Sequence, residues 1–335
     1  MRQASLWTTS DNQTVLCQLC SHFCHIDPGG RGRCGVRINR DGTLFTLADT
    51  VAAIHSDPVE KKPLFHFLPG TKTMSFAAMG CNFACSWCQN APLSQLPRQG
   101  SSPQGQCIRP EKIVQMALSE GCDSISYTYS EPTIFFELME DTAKLAHEAG
   151  LKNIMVSNGF QSPQCLHRLG PLMDAANIDL KAFAEDTYEQ HCEARLKPVL
   201  QNLKRIKAFG WWLEVTTLVI PDLNDSPEEL GDIAHFIAES LGVETPWHVS
   251  RFHPDYQMSD RGPTPTSRIE QAVEIGKNAG LQFVYAGNIA GHMSESTFCP
   301  NCGEMLIERR GYTLGKHIPG AVCPGCGAAV AGVFA

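Results

Sequence analysis

A chain of 335 residues with 43% hydrophobic and 19% charged residues has an ordinary globular composition, and it is long enough for one large α/β domain with small satellites. No run of 18 apolar residues occurs, which excludes a membrane-spanning helix, and a net charge of −8 argues against indiscriminate nucleic-acid binding. The N-terminal MRQASLWTTSDNQTVLC lacks the apolar core of a signal peptide, so a cytoplasmic protein is expected.

Fifteen cysteines are unevenly placed: four in residues 17–34, three in 81–88, four in 299–326, and Cys107, Cys122, Cys165 and Cys192 elsewhere. In a reducing cytosol such clustering reads as metal ligation, not disulfides. Cys17, Cys20, Cys24 and Cys34 form C-x2-C-x3-C-x9-C inside turn-rich sequence that includes DPGGRGRCG. Four ligands make a closed site, for which zinc and an auxiliary iron–sulfur cluster are both open, with His22 and His25 available as substitute ligands. Residues 1–50 are therefore read as an N-terminal metal-binding module.

Residues 51–70, VAAIHSDPVEKKPLFHFLPG, carry three prolines and read as a lead-in segment. Short β-like runs follow at 73–79, 123–129, 153–157, 175–183, 211–220, 246–252 and 281–287. Helical stretches lie between them at 109–120, 131–149, 163–172, 185–192, 198–209, 226–241 and 266–279. Strand alternating with helix implies parallel strands joined by right-handed crossovers. Seven strands at most give an incomplete α/β barrel, a partial (β/α)6-type TIM barrel over residues 51–295, with the full eight-stranded form as the nearest alternative. In either form the loops at the C-terminal ends of the strands carry the chemistry.

Just after the first of these strands, MGCNFACSWCQN holds Cys81, Cys85 and Cys88. Three thiolates in one short loop can hold three irons of a [4Fe–4S] cluster and leave the fourth iron open to an external molecule. A zinc knuckle with its fourth ligand elsewhere is the alternative. Near the C-terminus, FCPNCG and VCPGCG place Cys299, Cys302, Cys323 and Cys326 in C-x2-C-x20-C-x2-C, the signature of a zinc ribbon or rubredoxin-like module over residues 296–335. Arg309, Arg310 and Lys316 between the two knuckles make only a weak basic patch.

The run CNFACSWC fits CxxxCxΦC and resembles the radical S-adenosylmethionine (radical SAM) superfamily. The resemblance implies that the open iron binds the amino and carboxylate groups of SAM, whose reductive cleavage gives a 5′-deoxyadenosyl radical. In YTYSEPT, Glu131 stands where related enzymes accept from the SAM ammonium, and Tyr129 and Ser130 occupy the usual glycine places. Read locally, SEPT is a helix start with Ser130 as cap and Pro132 in the first turn. VSNGF and IDLKAF resemble segments of pyruvate formate-lyase activating enzyme. Carried over, Ser157, Asn158 and Asp179 lie near the SAM amino-acid end, and Lys181 pairs with its carboxylate. Val156 stands where that family has an aspartate of a monovalent-cation site. His253 matches a histidine at the SAM ribose, with a structural histidine at a strand end as the alternative. Trp87 packs on the adenine or covers the cluster. Cys192 is read as a hydrogen-atom donor or substrate anchor, or as a half-buried helix cysteine.

Further segments, HSDPVEKKPLFHFLPGT, SYTYSEPTIFFE, CEARLKPVL, PWHVSRFHPDY and VYAGNI, look like the AmmeMemoRadiSam-system radical SAM enzymes, relatives of the pyruvate formate-lyase activating enzymes. That resemblance implies Memo- and AMMECR-type partners, an electron donor such as flavodoxin or ferredoxin, and a macromolecule or metabolite as substrate. A glycyl-radical-enzyme activase is the second reading. A non-catalytic zinc-binding adapter for protein or nucleic acid is the third.

Overall fold

The computed structural model describes residues 1–289, 295–316 and 318–334. Residues 290–294, expected to end the barrel segment, and 317 and 335, expected in the C-terminal module, lie outside the described residues. An eight-stranded sheet runs in sequence order through β1 (Ala53–Pro58), β2 (Lys72–Ala77), β3 (Ser124–Tyr127), β4 (Lys152–Ser157), β5 (Ala175–Asp179), β6 (Trp212–Val219), β7 (Trp247–Arg251) and β8 (Val284–Gly287). Strands β2 to β8 are parallel throughout, and β1 pairs antiparallel with β2 at the edge. This is a partial barrel. All seven expected strands form; β1 is an addition, cut from what reads as a lead-in segment. Pro58, at its last position, is tolerable because the strand is at an edge.

Helices α1 (Pro110–Ser119), α2 (Phe136–Glu148), α3 (Pro163–Leu169), α4 (Glu185–Cys192), α5 (Leu196–Ala208), α6 (Pro227–Phe236) and α7 (Thr266–Asn278) supply the crossovers. Proline at the first helical position starts α1, α3 and α6, where its missing N–H costs nothing. Ser162 and Ser226 cap α3 and α6 by accepting from the amides of Cys165 and Glu229. In α5 the buried apolar face is Leu196, Val199, Leu203 and Ile206.

Two three-stranded antiparallel sheets occupy the N-terminal region, one of Arg2–Gln3, Thr43–Thr46 and Arg37–Arg40, the other of Trp7–Thr9, Val15–Cys17 and His25–Ile26. They dock on α2 through a buried ion pair, Arg37 to Glu137 at 2.8 Å. A third small sheet, Thr297–Phe298, Met305–Arg310 and Thr313–Lys316, packs its Leu306 and Ile307 with Phe65, Phe283 and Tyr285. The chain end is strapped to the segment after β1: the Leu68 amide donates to Val333 and the Val333 amide to His66, both at 2.7 Å.

Arg309 departs from the basic-patch expectation. It is buried and donates to the Phe65 carbonyl at 2.7 Å and the Thr297 hydroxyl at 2.7 Å, so it anchors the third sheet to the barrel. Arg310 is exposed but is paired with Glu308 at 2.7 Å. Among the described residues no helix is long and apolar enough to cross a membrane.

Candidate active site

The loop after β2 carries Cys81, Cys85 and Cys88 at the C-terminal end of the sheet. Its path is fixed from two sides. The amides of Ala84 and Ser86 donate to the carbonyls of Cys192 and His191 at the end of α4, at 2.9 and 3.0 Å. On the other side Gly80 has φ +120°, and a Cβ there would meet Val36 of the N-terminal region at 2.8 Å. The Phe83 amide points at Cys81 Sγ, 3.4 Å away. Burial pushes the Cys81 and Cys88 thiols up, whereas Cys85 is lowered by its contact with Cys192 and by the charge of Lys181. Cys192 is not half-buried but wholly buried, with its sulfur 3.7 Å from that of Cys85.

Glu131 follows β3 and is buried. Its Oε1 accepts from the Thr133 amide, the Thr133 hydroxyl and Ser157 Oγ, and its Oε2 accepts from the Asn158 amide at 2.9 Å. Burial raises its pKa, and these donors work against that rise. Glu131, not Ser130, is therefore the cap of the short helical turn that begins at Pro132; the Ser130 hydroxyl instead donates to the Ala78 carbonyl at 2.6 Å. Tyr129 has φ +67°, so the backbone keeps a glycine-type conformation with a tyrosine in it. Asn158 reaches from β4's end to Asn82 Oδ1 at 2.7 Å, beside Cys81.

At the end of β5, Lys181 Nζ lies 3.1 Å from Asp179 Oδ2. Burial would lower the lysine, but Asp179, Cys85 and Cys192 outweigh it and hold the ammonium well above its ordinary value. Trp87 is buried, 6.1 Å ring to ring from His191, and His253 is exposed after β7. A cavity of about 900 Å³ joins these groups. The three cysteines, Trp87, Tyr129, Ser130 and Glu131 line it, as do Ser157, Asn158, Asp179, Lys181 and His253, with Val156 between them.

Lys62 and His248 also line the cavity, each with a buried partner behind it. Asp57 and Lys62 flank Tyr129: the tyrosine hydroxyl and the Lys62 ammonium both donate to Asp57, and Lys62 sits 4.6 Å over the tyrosine ring. Burial alone would lift the Asp57 carboxyl, but donors from Lys61, Lys62 and Tyr129 hold it well below its usual range, while burial pulls Lys62 down to about 8. His248 on β7 bonds the buried Glu214 on β6 at 2.6 Å. Gly311 and Tyr312 of the C-terminal hairpin complete the rim. Asp57 and Lys62 lie in the run HSDPVEKK and His248 in PWHVSRFHPDY, neither of which carries a spacing that points to a site.

Among the described residues, one group of thiols closes to the spacing of a single ion. Cys299, Cys302, Cys323 and Cys326 bring their sulfurs within 4.8 Å of one another, with Cys299–Cys326 and Cys302–Cys323 at 3.7 Å. Zinc–thiolate bonds of about 2.3 Å in a tetrahedron imply sulfur spacings of about 3.8 Å. Neither Cys81, Cys85 and Cys88 nor the N-terminal four form such a cage, so the expected N-terminal module is present as a fold region but not as a preformed single-ion site.

Residues 77–237 match the Radical SAM superfamily. An uncharacterized protein of Methanocaldococcus jannaschii is 45% identical over 310 residues, covering 92% of each chain. The chain belongs to the radical SAM superfamily. Membership makes it a radical SAM enzyme, with the iron–sulfur and S-adenosylmethionine binding that the domain implies, and it sets aside the non-catalytic adapter. The pyruvate formate-lyase-activating enzyme of Clostridium pasteurianum is a distant relative, 21% identical over 57% of this radical SAM chain and 84% of its own. The structure of Streptococcus suis SuiB bound to S-adenosylmethionine shares the fold, with a TM-score of 0.52 and 13% identity over 69% of this chain and 56% of that one.

Proposed function

We propose that Cys81, Cys85 and Cys88 hold a [4Fe–4S] cluster with which the chain cleaves S-adenosylmethionine reductively. The carrying observation is that the three thiols share one cavity with Glu131, Asp179 and Lys181. The donor set is entirely soft sulfur and its members stand apart, which fits thiolates bound to separate irons. When bound, the cluster supplies one electron to S-adenosylmethionine, giving methionine and a 5′-deoxyadenosyl radical that takes a hydrogen atom from substrate.

The chain's own part is binding and exclusion. Glu131 Oε2, which has one protein donor, accepts from the methionine ammonium, and the four bonds on the carboxylate fix its direction. Lys181 pairs with the methionine carboxylate and Asp179 orients Lys181. Ser157 and Asn158 hold Glu131 in place at the amino-acid end, Tyr129 and Ser130 shape the turn beside it, and His253 serves the ribose. Trp87 covers the cluster or packs on adenine, and in either position its apolar bulk keeps water from a radical.

The resemblance of the flanking segments supports a finer reading, in which Memo- and AMMECR-type proteins hand over the substrate and a flavodoxin or ferredoxin supplies electrons in the cytoplasm. Likeness to an activating enzyme of Clostridium pasteurianum supports a second reading, abstraction of hydrogen from a glycine in a glycyl-radical enzyme. In both readings residues 51–295 act as the catalytic barrel, 1–50 as a metal-binding module and 296–335 as a zinc module whose cage is Cys299, Cys302, Cys323 and Cys326. The test is anaerobic incubation of reconstituted protein with S-adenosylmethionine and dithionite. Wild type is expected to form 5′-deoxyadenosine and Cys85→Ala to fall to background. Iron-replete wild-type protein that forms none would end the proposal.

A further inference from the structure

Cys17, Cys20, Cys24 and Cys34 are not used by the chemistry above. Cys17 and Cys34 are buried and Cys20 and Cys24 are half-buried, and all four lie within electrostatic range of one another. Their sulfurs nevertheless stay open: among the described residues, no three of them come within the 4.8 Å that the C-terminal cage satisfies. Thiolates that share one zinc must crowd together, whereas thiolates on a cubane are held apart because each takes a different iron. Neither histidine of the group closes a single-ion site with these thiols: among the described residues no set of three ligand atoms that includes His22 or His25 comes within 4.8 Å, and His25 is exposed.

The surroundings suit a net-negative group. Arg37 is 1% exposed, within charge range of Cys17 and Cys34, and its Nε has no hydrogen-bond partner. A buried, unpartnered guanidinium N–H is costly unless something accepts from it. A cluster sulfur or thiolate would do so.

The position matters as much as the ligands. The Ser21 amide donates to the Phe160 carbonyl at 3.0 Å, and Cys20 makes a bridge to Gln161. The His22 ring lies 4.9 Å from Phe160, and Phe160 lies 5.2 Å from Phe83. Asn82 and Phe83 directly follow Cys81. A continuous path of bonded and packed groups therefore joins the N-terminal thiols to the active-site loop.

We propose that Cys17, Cys20, Cys24 and Cys34 hold a second [4Fe–4S] cluster, closed to substrate, that relays single electrons to the cluster at Cys81, Cys85 and Cys88. The relay rests on the function proposed above; the cluster itself does not. A one-electron donor of the flavodoxin or ferredoxin class loses one electron, and the N-terminal cluster passes from the 2+ to the 1+ state. It returns to 2+ as the electron moves on to the active-site cluster, with no proton or bond change in the protein.

The deciding experiment uses the full chain with Cys81→Ala, Cys85→Ala and Cys88→Ala combined, which leaves the N-terminal region intact. After anaerobic reconstitution it should keep about four irons per chain, the iron count of one cubane, with the Mössbauer spectrum of a [4Fe–4S] cluster. A variant without iron that instead carries a second zinc overturns the site. For the relay, Cys20→Ser should lower flavodoxin-driven 5′-deoxyadenosine formation at least roughly tenfold relative to the dithionite-driven rate; an unchanged ratio overturns it. In fully reduced wild type the two paramagnetic clusters should broaden each other's EPR signals, and a simple sum of isolated signals also overturns the relay. If wild type cleaves no S-adenosylmethionine while the triple variant keeps its iron, the proposed function fails and the second cluster stands.

Discussion

The sulfurs of Cys85 and Cys192 lie 3.7 Å apart, both buried, at a point where the cysteine loop is bonded to the end of α4. That spacing is too close for two thiolates on separate irons of one cubane, so Cys192 is a neighbour of the proposed ligand Cys85 and not a fourth ligand. A thiol beside the Cys85 thiolate stabilises added negative charge less than a formal cation would, yet it is a donor at that sulfur, as the Phe83 amide is at Cys81. Cys192→Ala is therefore expected to keep its active-site iron and to shift the midpoint potential to more negative values, with Cys192→Ser intermediate. EPR-monitored redox titration reads both. Loss of the active-site iron in Cys192→Ala would make Cys192 a ligand and refute this assignment.

Glu131 is held at both oxygens: Oε1 takes two donors from Thr133 and one from Ser157, and Oε2 takes the Asn158 amide. Replacing it with glutamine turns one acceptor oxygen into an N–H group that faces a donor, and it removes the charge offered to an ammonium. Glu131→Gln should weaken S-adenosylmethionine binding by roughly tenfold or more, about 1.4 kcal/mol or above, with unchanged iron content. Anaerobic calorimetric titration measures it. An unaltered affinity would remove Glu131 from the binding site.

The parallel strands and their helices are legible because buried parallel strands are continuous apolar runs and the helices between them begin with Ser-Pro or proline signals, as at Ser162-Pro163 and Ser226-Pro227. Strand β1 is not legible, because AIHSDP alternates poorly and ends in proline; only its pairing with Lys72–Ala77 makes it a strand. Spacing marks the cysteine loop as a metal-ligating candidate with a zinc knuckle still open, and the resemblance of CNFACSWC narrows it. The Asp57–Lys62–Tyr129 group could not, since it joins residues 72 positions apart whose types are ordinary on any surface. Ser130 illustrates a local rule overtaken by a tertiary one: the hydroxyl is drawn to Ala78 across the strand ends, and the neighbouring glutamate takes the cap. Arg309 reads as surface charge in isolation, and only the long-range contact with Phe65 buries it.

His66 predicts a pH dependence. Its Nδ1 faces the Ala331 carbonyl at 2.7 Å, which can only accept, so Nδ1 carries the hydrogen and Nε2 accepts from the Tyr285 hydroxyl at 2.6 Å. The ring is held neutral, and burial lowers its pKa from 6.5 to about 4. The unfolded chain then binds more protons than the folded one between those values, so stability falls as pH drops from about 6.5 towards 4 and is fully present above 6.5. At pH 5 the loss from this one group is about 2 kcal/mol. Denaturant unfolding at pH 5 and 7.5 should show that difference shrink in His66→Gln, which cannot take up the proton. A wild-type difference that His66→Gln leaves intact would assign the effect elsewhere.

The C-terminal module offers a small core of its own, with Leu306, Ile307, Ile318 and Val330 beside the barrel residues Phe65, Phe283 and Tyr285. So little apolar area does not hold a segment of this length without a staple, and the four-sulfur cage supplies one. Cys302 is exposed, so Cys302→Ser disturbs ligation with little packing loss. It should remove about one zinc per chain, because structural zinc sites are closed four-ligand sites. The strap between the chain end and the segment after β1 should then open more often, since the Leu68 amide is protected by the Val333 carbonyl and the Val333 amide by the His66 carbonyl. Hydrogen exchange at those two amides is the measurement. Faster exchange there, with the Ile178 and Val215 amides of the central strands unchanged, is the expected pattern. A zinc-free variant with full protection at Leu68 and Val333 would mean that the strap and the Arg309 anchor hold the module without metal.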